Sequence, residues 1–263
     1  MSAAVPADVA PLGRMLATQT RFQLLTRLRI PAFSVLSLGM PVMFYALFNA
    51  IYGGTRQNGV TGSEFILVSY STYAVANVMV YNFGIGIANE RGRKLDLLQR
   101  AMPLPPVVAA VAQVLAALLF GLIALLILFV FAFLVGGVRL GAGTWLDLLW
   151  RLMIGAFPMI GLGMAIGYGV GANTAPAVVN VVYLPMAFLS GIFFPLRLMP
   201  DFIQRIGHTL PTYHYAELGW NVLGGGVADE TVTTALLWLA GWTVVLLGIA
   251  VRIYRLDDSR KFS

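Results

Sequence analysis

Ser190, His208, His214 and Glu217 are the side chains whose types and spacing suggest chemistry. A serine nucleophile paired with either histidine needs a third group to orient the imidazole, and no residue is spaced to supply one. His214 and Glu217 stand three apart and share a helix face. Two such groups begin a metal site, but no third ligand is evident, so His214 is expected to be a hydrogen-bonding residue near a membrane–water interface. The chain has no cysteine, which removes disulfides and thiolate sites. It contains neither H-E-x-x-H nor the phosphate loop G-x-x-x-x-G-K-[ST]. The expectation is a non-catalytic chain with no metal, cofactor or nucleotide site of its own.

The densest polar chemistry is elsewhere, in "NERGRKLDLLQRAMPLPP", Asn89 to Pro106. Six charges fall within eleven residues there, between two long apolar runs. Leu95, Leu98 and Met102 recur at helical spacing and form a narrow apolar stripe. Glu90 and Lys94, and Asp96 and Arg100, are four apart and support a helix weakly. Pro103, Pro105 and Pro106 stop that helix. The spacing fits a short docking helix for another protein, and equally a basic loop that sets topology and meets anionic lipid.

The elements that must position these groups are membrane helices. Of the 263 residues, 59% are hydrophobic and 11% charged, and the mean hydropathy is +0.83. A soluble chain carries about a quarter charged residues. No charge occurs in 30–55, 65–89, 101–138, 152–196 or 231–251. About 20 residues of helix cross the hydrocarbon core. The gap 152–196 holds two crossings, divided by the turn-forming "GVGANTAP". The reading is six transmembrane helices, at roughly 31–52, 64–87, 107–135, 149–170, 175–194 and 232–254.

The isoelectric point near 9.8 reflects topology-setting loops rather than nucleic acid, since no basic run is interleaved with aromatics. With the N-terminus inside, twelve Lys and Arg fall on the inner side and five on the outer. That asymmetry places both termini and Asn89–Pro106 in the cytoplasm. Four arginines precede the first apolar run, so the N-terminal stretch is expected to be a retained segment rather than a cleaved signal.

Two segments are neither spans nor simple loops. Residues 11–29 read as an interfacial helix, with Leu12, Met15, Leu16 and Phe22 on one face and Arg14, Thr18, Arg21 and Arg29 on another. Residues 195–230 are cut by Pro195, Pro200 and Pro211 into short elements rich in interface-favouring Tyr and Trp. They are expected to dip into the outer face as short re-entrant helices. The glycines of 155–171 allow close helix approach, within the chain or between subunits. Ionisable residues deep in the spans are absent, which weighs against ion-coupled transport.

Two stretches resemble the signatures of ABC-2-type transporter permeases. "ERGRKLDLLQRAMPLPP" is similar to the family's cytoplasmic loop, with Gly92 early and Arg93-Lys94 where the family often has Gly-Thr. "LSGIFFPLRLMPDFIQRIGHTLPTYHYAEL" is similar to its Gly-x-Phe-Phe-Pro-Leu stretch followed by Leu-Pro and His. The resemblance covers nearly the whole chain as a single transmembrane domain, 1–263. It implies an all-α permease of the cytoplasmic membrane, with an interfacial helix at about 11–29, a cytoplasmic coupling helix at about 89–103 and an external re-entrant segment at about 195–230. Two permeases would pair, as homo- or heterodimer, with two separate ABC ATPase subunits carrying the ATP.

The implied coupling residues are Glu90, Arg91, Arg93, Leu95, Leu98 and Arg100. The implied external gate comprises Gly191, Phe193, Phe194, Pro195, Pro200, Pro211 and His214. Cargo in such systems includes drugs, antibiotics, lipids and lipid-linked glycans, and the apolar spans favour an amphipathic or hydrophobic one. The competing readings are a passive channel or secondary carrier, and a membrane anchor for a partner protein. Nucleic acid is not an expected partner; membrane lipid is.

Overall fold

A computed structural model of the protein describes residues 11–57, 59–94 and 104–261. The architecture is helical apart from a two-residue ribbon that pairs Arg56–Gln57 (β1) with Val60–Thr61 (β2). In chain order the helices are α1 Leu12–Leu28, α2 Pro31–Tyr52, α3 Gly62–Gly92, α4 Pro106–Leu134, α5 Ala142–Gly155, α6 Phe157–Gly169, α7 Ala175–Leu189, α8 Asp201–Gly207, α9 Pro211–Trp220 and α10 Val232–Lys261.

The bundle is built around α3. Its N-terminus is fixed by a capping box: the Glu64 amide donates to Thr61 Oγ1 at 3.3 Å, and the Thr61 amide donates to Glu64 Oε2 at 2.8 Å. Both orphan donors are thereby satisfied. From Ile66 to Ala88 nearly every residue is buried. A helix apolar all round belongs in a core, and α2, α4, α6, α7 and α9 all pack on it.

The surrounding helices bury one face and expose the other. On α4, Ala112, Ala116, Phe120, Ala124 and Leu128 face inward, while Leu119, Leu126, Val130 and Phe133 are exposed. Leu237, Val244 and Val245 of α10 are likewise exposed. So continuous an apolar surface is unsuited to water and suits lipid. Among the described residues, three segments can cross a membrane by length and composition: Pro106–Leu134, Ala142–Gly169 and Val232–Leu256. Ser37–Tyr52 and Ala175–Leu189 are shorter apolar helices.

Proline shapes several helices. Pro158 lacks the N–H that would reach Ile154 and its ring crowds that carbonyl; α5 ends at Gly155 and α6 begins at Phe157. Pro41 and Pro185 sit inside α2 and α7.

Element ends differ from the charge-gap reading at four places: α7 stops at Leu189, short of the expected 194, α10 runs to Lys261, past the expected 254, and two further ends involve charge. The helix expected at 149–170 begins at Ala142 and contains Asp147 and Arg151, which form an ion pair at 2.7 Å one turn apart. Paired at that spacing, the two charges ride inside the helix instead of ending it. Likewise α3 runs beyond the expected residue 87 to Gly92 and takes in Glu90 and Arg91.

The glycines of α6 mediate packing within the chain. A Cβ on Gly167 would lie 2.5 Å from the Phe83 carbonyl oxygen, one on Gly163 2.9 Å from that of Val80, and one on Gly161 2.9 Å from Leu246. These close approaches seat α6 between α3 and α10.

Candidate functional site

The candidate residues separate to the two ends of α3. At its C-terminal end, Glu90 and Arg91 occupy the last helical turn and Arg93 caps it. The Arg91 guanidinium reaches across to α6. Its Nη1 donates to the carbonyls of Gly167 at 3.0 Å and Tyr168 at 2.8 Å, with Val170 at 3.4 Å. The last carbonyls of a helix lack intrahelical partners and carry partial negative charge. Arg91 therefore caps α6 and ties it to the end of α3. The same guanidinium borders a cavity of about 440 Å³ with Tyr168, Ala172, Ile253 and Leu256.

Glu90 acts on α1. Arg27 is buried where α1 packs on the bundle; burial pulls its guanidinium down to about 10, and the charge of Glu90 opposes that shift. The stripe that α1 turns inward includes Thr20 and Arg27, while Leu12 and Phe22 are exposed. Arg93 is exposed, and Lys94 turns the chain with φ 57°, a left-handed conformation uncommon outside glycine. Leu95, Leu98 and Arg100 lie outside the described residues.

At the other end of α3 the segment following α7 folds into a 3-10 turn, Leu196–Leu198, then α8 and α9. Gly191 opens it with φ 79°, a conformation that costs a side-chain-bearing residue dearly. Pro195 and Pro200 precede the 3-10 turn and α8, and Pro211 is the first residue of α9, where a missing N–H is harmless. Phe193 packs against Phe188 and Tyr73, with ring centroids at 4.7 and 5.1 Å. Phe194 meets Phe48 at 5.8 Å.

All ten residues of α9 are buried. Trp220 stacks on Phe65 at 5.2 Å and donates from Nε1 to Ser69 Oγ at 3.0 Å. Tyr215 donates to the Leu152 carbonyl at 2.5 Å, with its ring over Gly155. The Thr212 and Ser190 hydroxyls meet, joining α9 to the end of α7. Ser190 is thus occupied with Thr212 and the Met186 carbonyl, and neither histidine is placed against it.

His214 faces α10. Its ring stacks on Trp238 at 4.6 Å, and Nδ1 lies 2.8 Å from Glu230 Oε2. Glu217 does not share a ligand set with it. Glu217 Oε2 instead accepts the backbone N–H groups of Asp229 and Glu230 at 2.7 and 2.9 Å. Burial pushes its carboxyl up to about 7, although those two donors favour the charged form. Among the described residues no three His, Asp or Glu converge as a metal set.

The structure therefore brings Phe193, Phe194 and Pro195 together around one aromatic cavity, while His214 does not line it and meets Trp238 of α10 instead. Sequence reading overlooked the tyrosines. Tyr70, Tyr73 and Tyr183 form a ring cluster with Phe193, and Tyr81 bonds Asn180 across α3 and α7. Tyrosines recurring inside an apolar run were the available signal.

A family model described as ABC-2 type transporter matches residues 16–221. The putative transport permease YvfS of Bacillus subtilis (strain 168) is 28% identical over 200 residues, which cover 76% of this chain and 81% of that protein. The match takes in both ends of α3, the α6 cap and the whole of α9, and the chain belongs to the ABC-2 type transporter family.

Proposed function

We propose that the chain is the permease subunit of an ATP-driven exporter in the cytoplasmic membrane, moving an amphipathic or hydrophobic cargo such as a drug, an antibiotic, a lipid or a lipid-linked glycan. The six crossings in this reading are α2, α3, α4, the joined α5–α6, α7 and α10, with both termini in the cytoplasm. Helix α1 lies along the inner membrane surface. Two permeases pair, and two ATPase subunits dock on residues 89–103, through Glu90, Arg91, Arg93, Leu95, Leu98 and Arg100. The segment from Gly191 to Trp220 closes the outer exit.

The family match across residues 16–221 carries the assignment. The Arg91 contact to Gly167 and Tyr168 supports a coupling route. A push on the 89–103 segment would reach α3 and α6 together, because Arg91 joins them. A rigid, buried helix then carries that displacement some 46 Å to the other end, at about 1.5 Å per residue.

The test is reconstitution in liposomes with the partner ATPase and a fluorescent phospholipid as cargo probe. Movement that requires both ATP and the ATPase is expected. Movement without any ATPase would favour a passive channel or carrier, and stable ATPase binding with no movement of any amphipathic probe would favour an anchor.

A further inference from the structure

Near the N-terminal end of α3 a cavity of about 340 Å³ opens between α2, α3, the 193–198 turn and the 226–229 loop. Small-molecule pockets of this size are mostly apolar with a few placed polar groups. The walls here are aromatic: Phe48, Phe65, Tyr70, Phe193, Phe194 and Trp220. Two polar residues lining it, Glu217 and Tyr70, are each 1% exposed. The Tyr70 hydroxyl is buried without a hydrogen-bond partner, a costly state that a ligand acceptor or donor would relieve.

Charge around the cavity leans negative, with Glu217 and Asp229 set against the exposed Arg197. Aromatic faces attract cations, and a buried carboxylate favours an opposite charge beside it. A neutral hydrocarbon would leave Glu217 with backbone donors alone and no counter-charge, and an anion would meet two carboxylates. We propose that this cavity is a binding site for a lipophilic aromatic amine or organic cation, its rings between Phe48, Phe65 and Phe193 and its nitrogen toward Glu217. The site lies within one chain and needs neither ATPase nor transport.

The test uses the full chain in nanodiscs, with ethidium as the probe and the anionic dye 8-anilino-1-naphthalenesulfonate as its charge-reversed counterpart. Saturable ethidium binding is expected, weakened about tenfold in Glu217→Gln, a change equivalent to the loss of one modest ionic contact. Phe194→Ala, at a partly exposed wall, is expected to weaken binding about three-fold with an unchanged melting temperature. That variant keeps the test decisive if Glu217→Gln does not fold. Equal ethidium affinity in wild type and Phe194→Ala, binding that scales with lipid rather than protein, or equal affinity for the anionic dye would overturn the site. Saturable binding that depends on Glu217 and Phe194 in a chain that moves no cargo would support the site while counting against the transport reading.

Discussion

Arg91 and Tyr168 are joined by a 2.8 Å hydrogen bond from a guanidinium on α3 to a terminal carbonyl of α6. A residue that sequence assigns to a protein-docking loop thus already holds two helices of its own chain. Hydrogen bonds to charged groups contribute about 1.5–3 kcal/mol each. Arg91→Ala should lower stability by about that amount, seen as a reduced melting temperature in detergent, with Arg91→Lys recovering part of it. A melting temperature unchanged in Arg91→Ala would remove the strut.

Arg93 offers the cleaner probe of docking, because it is exposed at the end of α3. Arg93→Glu should stay within about 0.5 kcal/mol of wild-type stability and weaken ATPase co-purification. Undiminished co-purification would argue for lipid headgroups as the partner of this turn.

The α3–α6 contact should tolerate no added carbon. In Gly167→Ala the new methyl would meet the Phe83 carbonyl at 2.5 Å, and overpacking of this kind costs about 1–3 kcal/mol. Gly143 of α5 has nothing within 4 Å of such a methyl, so Gly143→Ala should be neutral or stabilising by up to about 1 kcal/mol. Paired melting curves decide, and equal effects would show that proximity to α3 is irrelevant.

Glu217 should make stability fall as pH rises. Its carboxyl ionises near 7 in the fold and at the ordinary 4.5 when unfolded. The folded state therefore holds the proton more tightly. The associated stabilisation is fully present below about pH 4.5 and lost as pH climbs through about 7. Around it stand Tyr213, His214, Tyr70, Asp229, Glu230 and Arg197, so the isolating measurement is a difference. The unfolding free energy between pH 5 and 8 should decline more steeply in wild type than in Glu217→Gln, by an amount on the order of 2–3 kcal/mol. Parallel curves would assign the pH response to another group.

Trp220 couples α9 to α3 by stacking on Phe65 and by its bond to Ser69. Trp220→Phe keeps a ring and loses the hydrogen bond, an expected cost of about 1 kcal/mol; Trp220→Ala should cost about 3–5 kcal/mol. Chemical denaturation of the two variants separates stacking from hydrogen bonding.

The helical membrane character was legible because charge is so sparse that its gaps expose the long apolar runs. The turn at "GVGANTAP", inside one charge-free gap, was legible from its Gly, Asn and Pro residues, and α6 ends at Gly169 and α7 begins at Ala175. Charge used as a boundary marker failed where the charge found a partner. Asp147 and Arg151 neutralise each other inside α5, and Arg91 spends its charge on the end of α6. Both depend on a partner, one a turn away and the other 76 residues away. The aromatic cavity was illegible because Phe48, Tyr70, Phe193 and Trp220 come from four separate segments. The backbone donors that hold Glu217 belong to a loop twelve residues downstream, and no side-chain pattern announces an amide.

Helix α9 also has a consequence for how the chain is made. It is ten residues long, wholly buried, and carries His214 and Glu217 into the interior. Its anchors on one side come from Asp229, Glu230 and Trp238, which the ribosome delivers afterwards. During synthesis the Glu217 carboxyl and the His214 imidazole meet Asp229 and Glu230 first, and α10 then lays Trp238 over the His214 ring. A chain cut before residue 232 would keep those polar partners and lose Trp238, leaving the His214 ring without its aromatic cover.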